Sequence, residues 1–346
     1  MLGWREKWLG GLGDGAPVTK WAKRIGLFLV ASVIALALAG VAFEQWSRFS
    51  AASRYSPPGK RVSVDGLESH LHCTGAGTPT VVFESGLDTD GALGWSLVQP
   101  KVAELTRACS YDRAGYMWSD DRGGVRDGKT IASELRALLA KASETGPYVM
   151  VGHSLGGSLV RVIAARLDPG AVKGFVLVDA SHPELLKRDT RALDGPPEVL
   201  ITMMGSLGVM RLIDGGAPEL PADVRKTVLA FSPQGGATWL AEARALPTTF
   251  EQAAETGSLG DRPLVVLTAV DKPPERQALW RELQDDLATL STNVDHRLIS
   301  DCDHYIQHQR PDLVVTAIRD VVTAVREQAP VRRELRSPTQ PHPTQP

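Results

Sequence analysis

The chain has 346 residues, of which 43% are hydrophobic and 23% are charged, as in an ordinary globular protein. Its 38 basic and 40 acidic residues give a net charge of -2, without the dense basic tract of a nucleic-acid-binding domain, so nucleic acid is excluded as a partner. The cysteines Cys73, Cys109 and Cys302 are too few and too scattered for a disulfide scaffold or a zinc site.

The first distinctive segment is residues 25–43, IGLFLVASVIALALAGVAF, which contain no charged residue. Its length suits a helix that crosses the hydrocarbon core of a membrane, which takes about 17–25 residues. The segment predicts one uncleaved transmembrane anchor. A cleavable signal peptide is the alternative, since residues 35–37 and 37–39 both read Ala-Leu-Ala, although 24 preceding residues are long for such a peptide.

Charges around the anchor predict its orientation. Lys20, Lys23 and Arg24 precede it and Glu44 follows it, so residues 1–24 are expected in the cytoplasm and the folded domain outside it. Four basic residues beyond the anchor reduce this asymmetry: Arg48, Arg54, Lys60 and Arg61. Residues 44–60 are polar, end in a Ser-Pro-Pro-Gly sequence and are predicted to be a linker.

The domain that follows, residues 61–327, alternates predicted strands with predicted helices. The strands are expected at 61–65, 69–73, 80–84, 107–111, 148–151, 175–178, 264–267 and 294–299. The helices are expected at 95–105, 131–142, 155–167 and 311–325. This pattern predicts an α/β fold, a mostly parallel sheet of about eight strands with helices on both faces, in which the first two strands form a hairpin.

Two segments fall outside this alternation. Residues 183–260 contain no strand signal and are predicted to be a helical cap insertion, because long insertions between sheet strands are usually functional. Met203, Met204 and Met210 either line an apolar substrate channel or pack the core of the insertion. Residues 328–346 are rich in proline and polar residues and are predicted to be disordered.

A serine stands between a predicted strand and a predicted helix in the sequence Gly152-His153-Ser154-Leu155-Gly156. A strand, a Gly-x-Ser-x-Gly turn and a helix together form a nucleophile elbow, in which the serine is lifted above the edge of the sheet. The two glycines are expected because the strained turn leaves no room for side chains. The pattern therefore predicts Ser154 as a nucleophile.

Residues 61–325 resemble the α/β-hydrolase family. The resemblance is carried by VVFESGLD (81–88), SYDRAGYMWSD (110–120), VGHSLGG (151–157) and DCDHYIQHQRPDLV (301–314). It implies that His304, on the loop after the last strand, is the base that activates Ser154. His308 is a poorer candidate, since it begins the final helix. Gly86 and His153 are expected to border the substrate, with the His153 ring turned away from the nucleophile.

The acid that orients His304 has two candidates. The family order of serine, acid and histidine admits Asp179, at the end of strand 175–178, and Asp271, after strand 264–267. Family members more often use the later position, but Ala269 replaces the usual glycine there. The strand before Asp179 resembles that of some haloalkane dehalogenases, whose acid has this position. The sequence favours Asp179 and leaves Asp271 as the alternative.

The resemblance also implies an oxyanion hole, formed by the N–H groups of Leu155 and Leu87. Asp112 and Arg113 are interpreted as an ion pair with each other that braces the turn before Gly115. In the family's strand order the second and fourth strands are neighbours, which places Cys73 beside Cys109 and implies a disulfide between them.

These residues imply a membrane-anchored serine hydrolase that cleaves carboxylic esters of apolar acyl groups and needs no metal or organic cofactor. Its expected partners are a small-molecule or lipid ester and the membrane itself. A serine at the elbow argues against haloalkane dehalogenase and epoxide hydrolase chemistry, for which this fold uses an aspartate. Amide, thioester or carbon–carbon bond hydrolysis by the same triad, or a catalytically silent anchored binding module, are the alternatives.

Overall fold

A computed structural model of the protein describes residues 16–189, 197–213, 218–270 and 274–332. Eight strands form one sheet: β1 (Lys60–Val64), β2 (Leu67–Thr74), β3 (Thr80–Glu84), β4 (Ala108–Tyr111), β5 (Tyr148–His153), β6 (Val172–Val178), β7 (Leu264–Ala269) and β8 (Val294–Ile299). Their order is β1-β2-β4-β3-β5-β6-β7-β8. The pairs β1–β2 and β2–β4 are antiparallel and all others are parallel. The predicted fold class is confirmed.

The described residues form eleven α-helices: α1 (Ala16–Arg54), α2 (Gln99–Ala103), α3 (Gly128–Ala142), α4 (Leu155–Arg166), α5 (Leu185–Arg188), α6 (Glu198–Ser206), α7 (Ala222–Phe231), α8 (Gly236–Ala254), α9 (Pro274–Ala288), α10 (Ile306–Gln309) and α11 (Pro311–Glu327). The helix predicted at 95–105 is divided into a 3₁₀ helix, Gly91–Trp95, and the short α2. Pro100 lies in the first turn of α2, where its missing N–H breaks no helical hydrogen bond.

Both faces of the sheet are covered, because side chains along each parallel strand alternate between two buried cores. Met150 of β5 packs with apolar residues of α3 and α4 on one face. Its neighbours Val149 and Val151 pack with residues of α11 on the other face. A strand buried on both sides reads as a continuous apolar run, and this explains why β5 shows no alternation in the sequence.

The disulfide implied by the family resemblance is present. β2 and β4 are antiparallel neighbours in which Cys73 lies directly opposite Cys109, and the two sulfurs are bonded. Cys302 is a free thiol and is buried.

The N-terminal helix α1 is long and apolar enough, over Lys20–Arg54, to cross a membrane by length and composition. It continues through residues 44–54, so the prediction that residues 44–60 form a linker is wrong for that part. The helix persists because its last turns pack on the domain: Glu44 is buried, and Ala51 joins an apolar cluster with Trp118 and Phe231.

The insertion at residues 183–260 consists of helices in the parts that the structure describes, α5 to α8 with two 3₁₀ turns. Its last helix, α8, packs against α3 and α4, which ties the insertion to the sheet. At the C-terminus, residues 333–346 of the predicted tail lie outside the described residues. The tail prediction is wrong for residues just before them, since Val331 is buried against the domain and its N–H donates to Asn293 Oδ1 at 2.8 Å.

Candidate active site

Ser154 occupies the sharp turn between β5 and α4, with φ 52° and ψ -121°. A side chain at positive φ is strained by roughly 1–3 kcal/mol, so neighbouring groups must hold it. The Ser154 N–H donates to the carbonyl of Val178 at 3.2 Å, and the Ser154 carbonyl accepts from the N–H groups of Gly157 and Ser181 at 3.0 and 2.8 Å. Neighbouring backbone therefore enforces the strained conformation.

Three glycines make this turn possible. A Cβ at Gly152 would stand 2.4 Å from the carbonyl oxygen of Gly156, and a Cβ at Gly156 would stand 2.4 Å from that of Glu84. A Cβ at Gly86 would lie 3.0 Å from the Ser154 Cβ. The elbow and the loop after β3 thus approach each other as closely as two backbones can, and Gly86 borders the serine.

His304 and Asp179 are in direct contact. The ring Nδ1 of His304 lies 2.6 Å from Asp179 Oδ2, and the aspartate is fully buried while the histidine side chain is 32% exposed. The other oxygen, Asp179 Oδ1, accepts from the N–H of Ala269 at 3.0 Å and from Trp280 Nε1 at 2.8 Å. Asp271, the alternative acid, lies outside the described residues.

One edge of the sheet collects these groups. Ser154 follows β5, Asp179 follows β6 and His304 follows β8. Because those strands are parallel, their carboxyl ends meet at the same edge, where ligands of open α/β sheets bind. Leu155 begins α4 there, and its N–H is among the first four of a helix, which have no partner within the helix.

Arg113 contradicts its predicted role, because it does not pair with Asp112. Its guanidinium is buried between Glu84 at the end of β3 and Glu242 on α8, at 2.7 and 2.9 Å. It also donates to the carbonyl oxygens of Ser85 and Gly86 at 2.9 and 2.6 Å. A buried guanidinium needs negative partners, and here residues from distant segments supply them.

This contact orients the next peptide group. In a trans peptide the N–H points opposite to the C=O, so the Gly86 carbonyl that faces Arg113 turns the Leu87 N–H away from Arg113. Burial lowers the pKa of Arg113, but Glu242 and Glu84 outweigh burial and hold the pKa well above its ordinary value. The guanidinium is therefore a permanent cation that positions the loop carrying Gly86 and Leu87.

The whole fold can be compared with known proteins. Residues 70–317 match the profile described as "Alpha/beta hydrolase family", well over half of the chain. The chain belongs to the α/β hydrolase family. The resemblance found in the sequence is thereby confirmed.

Three proteins show the extent of the similarity. A protein of Schizosaccharomyces pombe, named only as uncharacterized, is 26% identical over 234 residues, which are 65% of this chain and 43% of the yeast protein. The 2-hydroxy-6-oxo-2,4-heptadienoate hydrolase of Pseudomonas putida is 32% identical over 124 residues, 35% of this chain and 44% of the hydrolase. A thermophilic esterase structure from Thermogutta terrifontis superimposes with a TM-score of 0.56 at 21% identity, covering 77% of this chain and 98% of the esterase.

The matches cover less than half the length of the yeast and Pseudomonas proteins, and the likeness to the esterase shows the fold alone.

Asp112 has a different role in this α/β hydrolase from the one predicted. It lies 2.7 Å from His70 Nδ1 on β2 and accepts from the backbone N–H groups of Ala92 and Trp118 at 2.7 and 3.2 Å. Burial lowers the pKa of His70, but Asp112 outweighs it and holds the pKa above its ordinary value. Asp112 therefore braces the turn through His70 and backbone amides instead of through Arg113.

His153, in the middle of the elbow, is 1% exposed and lies beneath the site instead of lining it. Its Nε2 donates to the backbone carbonyl of His304 at 3.0 Å, and the two ring centroids are 4.7 Å apart. Burial, together with the neighbouring His304, lowers the pKa of His153 well below its ordinary value. The ring is thus a neutral support under His304, and its burial does not fit the expectation that His153 borders the substrate.

Two carboxylates that the sequence did not single out lie beside this support. Asp88 Oδ2 is 4.0 Å from His153 Nδ1, and the backbone N–H of Asp90 donates to Asp88 Oδ1 at 3.2 Å. Burial and the proximity of Asp88 raise the pKa of Asp90 from 3.8 to about 7. The resemblance marked this loop only for its N–H groups, so only the tertiary contacts reveal the carboxylate pair.

Potential metal ligands also meet once among the described residues, where Cys73, Cys109 and Glu144 lie close together. The two cysteine sulfurs are bonded to each other. A disulfide sulfur is not the thiolate that binds a metal, so these residues do not fit a metal site.

Proposed function

We propose that this α/β hydrolase cleaves carboxylic esters of apolar acyl groups through an acyl-enzyme on Ser154. The observation that carries the proposal is the hydrogen bond between His304 Nδ1 and the buried Asp179, on the sheet edge that also holds Ser154. An imidazole whose Nδ1–H is held by a carboxylate presents an unprotonated Nε2 that can accept the proton of a serine hydroxyl.

In the proposed first half-reaction, Ser154 Oγ attacks the ester carbonyl carbon while its proton passes to Nε2 of His304. The negative charge moves to the carbonyl oxygen, where the N–H groups of Leu155 and Leu87 stabilise it. The carbon–oxygen bond to the alcohol then breaks, and the alcohol leaves with the proton from His304. Ser154 is now acylated.

In the second half-reaction, water attacks the acyl carbon and gives its proton to His304. The tetrahedral intermediate collapses, the Ser154 oxygen takes that proton back, and the carboxylic acid leaves. Asp179 stays ionised throughout and stabilises the imidazolium that forms twice in the cycle. Every proton and electron pair is accounted for by ester, water and the triad, so no cofactor enters these steps.

The test is the Ser154→Ala variant. Loss of a triad nucleophile typically lowers kcat by several orders of magnitude, on the order of 10⁶ where the whole triad is disabled. We expect hydrolysis of p-nitrophenyl esters of increasing acyl length, and labelling by a fluorophosphonate, to disappear with Ser154→Ala. Ser133→Ala, at an exposed serine of α3, is the control and should retain both.

A folded Ser154→Ala protein that keeps more than a tenth of wild-type activity contradicts the proposal. A wild-type protein that binds apolar ligands but neither hydrolyses the esters nor reacts with the fluorophosphonate favours the silent binding module instead.

The proposal includes a membrane anchor formed by residues 25–43, with the catalytic domain outside the cytoplasm. The charge-free run within α1 and the basic residues before it support this placement. The Cys73–Cys109 disulfide supports it independently, because disulfides persist mainly in oxidising compartments.

Two measurements check the anchor. Alkaline carbonate should fail to extract the full-length protein from membranes, and protease added to intact cells without an outer barrier should digest the catalytic domain. A mature protein that begins near residue 40 would identify a cleaved signal peptide instead of an anchor.

A further inference from the structure

Six large apolar side chains are exposed together on the cap. They lie on α6, on the 3₁₀ helix Val209–Leu212 that follows it and at the residue after that helix, and are called the cap patch below: Val199, Leu200, Met203, Met210, Leu212 and Ile213. Leu212 is 78% and Val199 72% exposed. Met203, which is 55% exposed, therefore does not pack the interior of the insertion. Clustered exposed apolar groups usually mark a contact with another apolar phase.

The cap patch is joined to the anchor helix. A Cβ at Gly40 of α1 would stand 2.7 Å from the carbonyl oxygen of Leu207, and a Cβ at Gly208 would stand 2.8 Å from the Phe43 ring. Residues 207 and 208 connect α6 to the 3₁₀ helix, so the middle of the patch segment lies directly against α1.

A buried ion pair holds the same junction. Arg211 donates to both carboxylate oxygens of Glu44, with Nε at 2.5 Å and Nη2 at 3.0 Å, and Glu44 is fully buried. A third hydrogen bond from Arg211, Nη1 to the carbonyl of Ala230 at 2.7 Å, links this pair to α7. The cap and the end of the anchor are thus a single packed unit.

The position of this junction along α1 gives its depth in a membrane. A helix rises 1.5 Å per residue, so Gly40 lies about 4.5 Å inside the end of the charge-free run and Phe43 lies at that end. Glu44, the first charged residue, follows at once. The cap patch is therefore level with the boundary between hydrocarbon and headgroups.

Aromatic residues follow just beyond this level. Trp46 and Phe49, one and two turns beyond the run, are exposed on α1. Exposed aromatic side chains are characteristic of membrane–water interfaces, where tryptophan in particular is enriched. α6 also contacts α8, where Glu198 pairs with Arg244 in an ion pair whose side chains are both more than half exposed.

We propose that the cap patch enters the outer part of the lipid bilayer beside α1 and that the site beneath the cap takes lipid esters directly from the membrane. This inference rests on the proposed anchor and deepens the proposed esterase function by naming its substrate class. Apolar side chains on a helix that lies in the interface are buried about 5–10 Å into the boundary between headgroups and acyl chains. The anchor holds the cap at that boundary permanently.

The depth of the cap patch in the bilayer is measured first, because this measurement needs no enzymatic activity. Full-length Leu212→Cys protein, labelled with a bimane fluorophore, is placed in nanodiscs of phosphatidylcholine and phosphatidylglycerol, with and without lipids brominated near the headgroup. Cys302 is buried and Cys73 and Cys109 are bonded to each other, so the new thiol is the reactive one. Thr145→Cys is the control, at an exposed residue before β5, at the opposite edge of the sheet from Ser154.

We expect brominated lipid to quench the label at residue 212 and not the label at residue 145. The inference is overturned if brominated lipid changes the fluorescence of the label at neither position. The inference is also overturned if the label at residue 212 is shielded from water but not quenched by bromine, and only in discs that hold two copies of the protein. A second copy then covers the patch.

The second experiment measures whether the enzyme takes its substrate from the membrane. The variant with Leu200→Glu, Met203→Glu and Leu212→Glu is compared with wild type on a fluorogenic lipid ester in vesicles and on p-nitrophenyl acetate in water. Val125→Glu, at a 68% exposed apolar residue outside the patch, is the matched control. We expect the triple variant to lose at least about tenfold with the vesicle substrate, since membrane binding scales with buried apolar area, and to keep its rate with the soluble ester.

An equal loss with both substrates, or none with the vesicle ester, overturns the inference. A wild-type protein inactive on both esters defeats the proposed esterase function and its lipid-ester substrate class, while quenching at residue 212 still decides whether the patch enters the bilayer.

Discussion

The edge of the sheet and the cap above it differ in which side chains they bury and which they expose. At the edge, charged side chains are buried and hydrogen-bonded: Asp179 and Glu84 are fully buried, and Arg113 is almost so. On the cap, large apolar side chains such as Val199 and Leu212 are exposed. Folded proteins usually do the opposite, because charges favour water and apolar groups avoid it.

The difference teaches that the two regions serve different needs. Buried charges that are hydrogen-bonded to partners hold the edge in one geometry, which the proposed proton transfer to and from His304 requires. The cap needs an apolar surface instead, because its proposed partner is the bilayer. Glu242 on α8 connects the regions, since it belongs to the insertion but binds Arg113 at the edge.

Asp179→Asn has the largest expected effect on kcat and tests whether the edge is preorganised. Asp179 Oδ1 already accepts from Ala269 and Trp280, so the asparagine oxygen must take that place and its amide nitrogen must face His304. The amide then donates to Nδ1 and forces the proton onto Nε2, which can no longer accept from Ser154. We expect kcat to fall by about 10⁴, the loss known for this substitution in a serine protease triad.

Asp303→Asn is the matched control for that variant. Asp303 is exposed, adjoins His304 in sequence and accepts from the Tyr305 N–H, and its substitution should leave kcat unchanged. Asp271→Asn, assayed beside them, should also keep its rate. A collapse of kcat in Asp271→Asn with a normal rate in Asp179→Asn contradicts the assignment of the acid.

A smaller effect tests the link between edge and cap. Arg113→Lys keeps the charge, but one ammonium cannot reach Glu84, Glu242 and the Gly86 carbonyl together as the guanidinium does. The Leu87 N–H should lose its orientation. We expect kcat to fall by up to about 10²–10³, the cost of one oxyanion donor, with little change in KM.

Arg107→Lys controls for the loss of a bidentate ion pair as such. Arg107 binds Glu144 through two hydrogen bonds of 2.6 Å at the opposite edge of the sheet. We expect this variant to keep its kcat. Similar losses of kcat in both variants would show that Arg113 acts only through overall stability.

The smallest expected effect concerns the Asp88–Asp90 pair. The folded-state pKa of Asp90, about 7, lies above its ordinary value of 3.8, so the folded protein holds a proton there that the unfolded chain releases. Stability from this group is complete below the ordinary value and is lost as pH rises towards and through 7. We expect Asp90→Asn to reduce the fall in melting temperature between pH 5 and pH 8.

Thermal melting across that pH range checks it, with Asp303→Asn as the exposed control. Parallel pH profiles for wild type and Asp90→Asn would mean that Asp90 is ionised in the fold at neutral pH.

Much of the fold was predictable because its signals are local. Apolar runs such as 148–151 and 264–267 predicted strands that the structure contains, and the elbow was recognisable from five consecutive residues. Other features had no local signal. The polar helix α9 was missed, and with it Trp280, which donates to Asp179.

The amino-acid sequence alone determined the order of the eight strands along the chain, the apolar run at residues 25–43 and, with the family resemblance, Ser154 and His304 as candidates. Periodicity, turn chemistry and short motifs act between neighbours in the chain, so they can be read without a structure. Only the tertiary structure decided that His304 pairs with Asp179, 125 residues away, and that Arg113 binds Glu242, 129 residues away. The exposure of the cap patch was also decided only by the tertiary structure, since an apolar run has the same sequence pattern whether folding buries it or leaves it exposed beside α1.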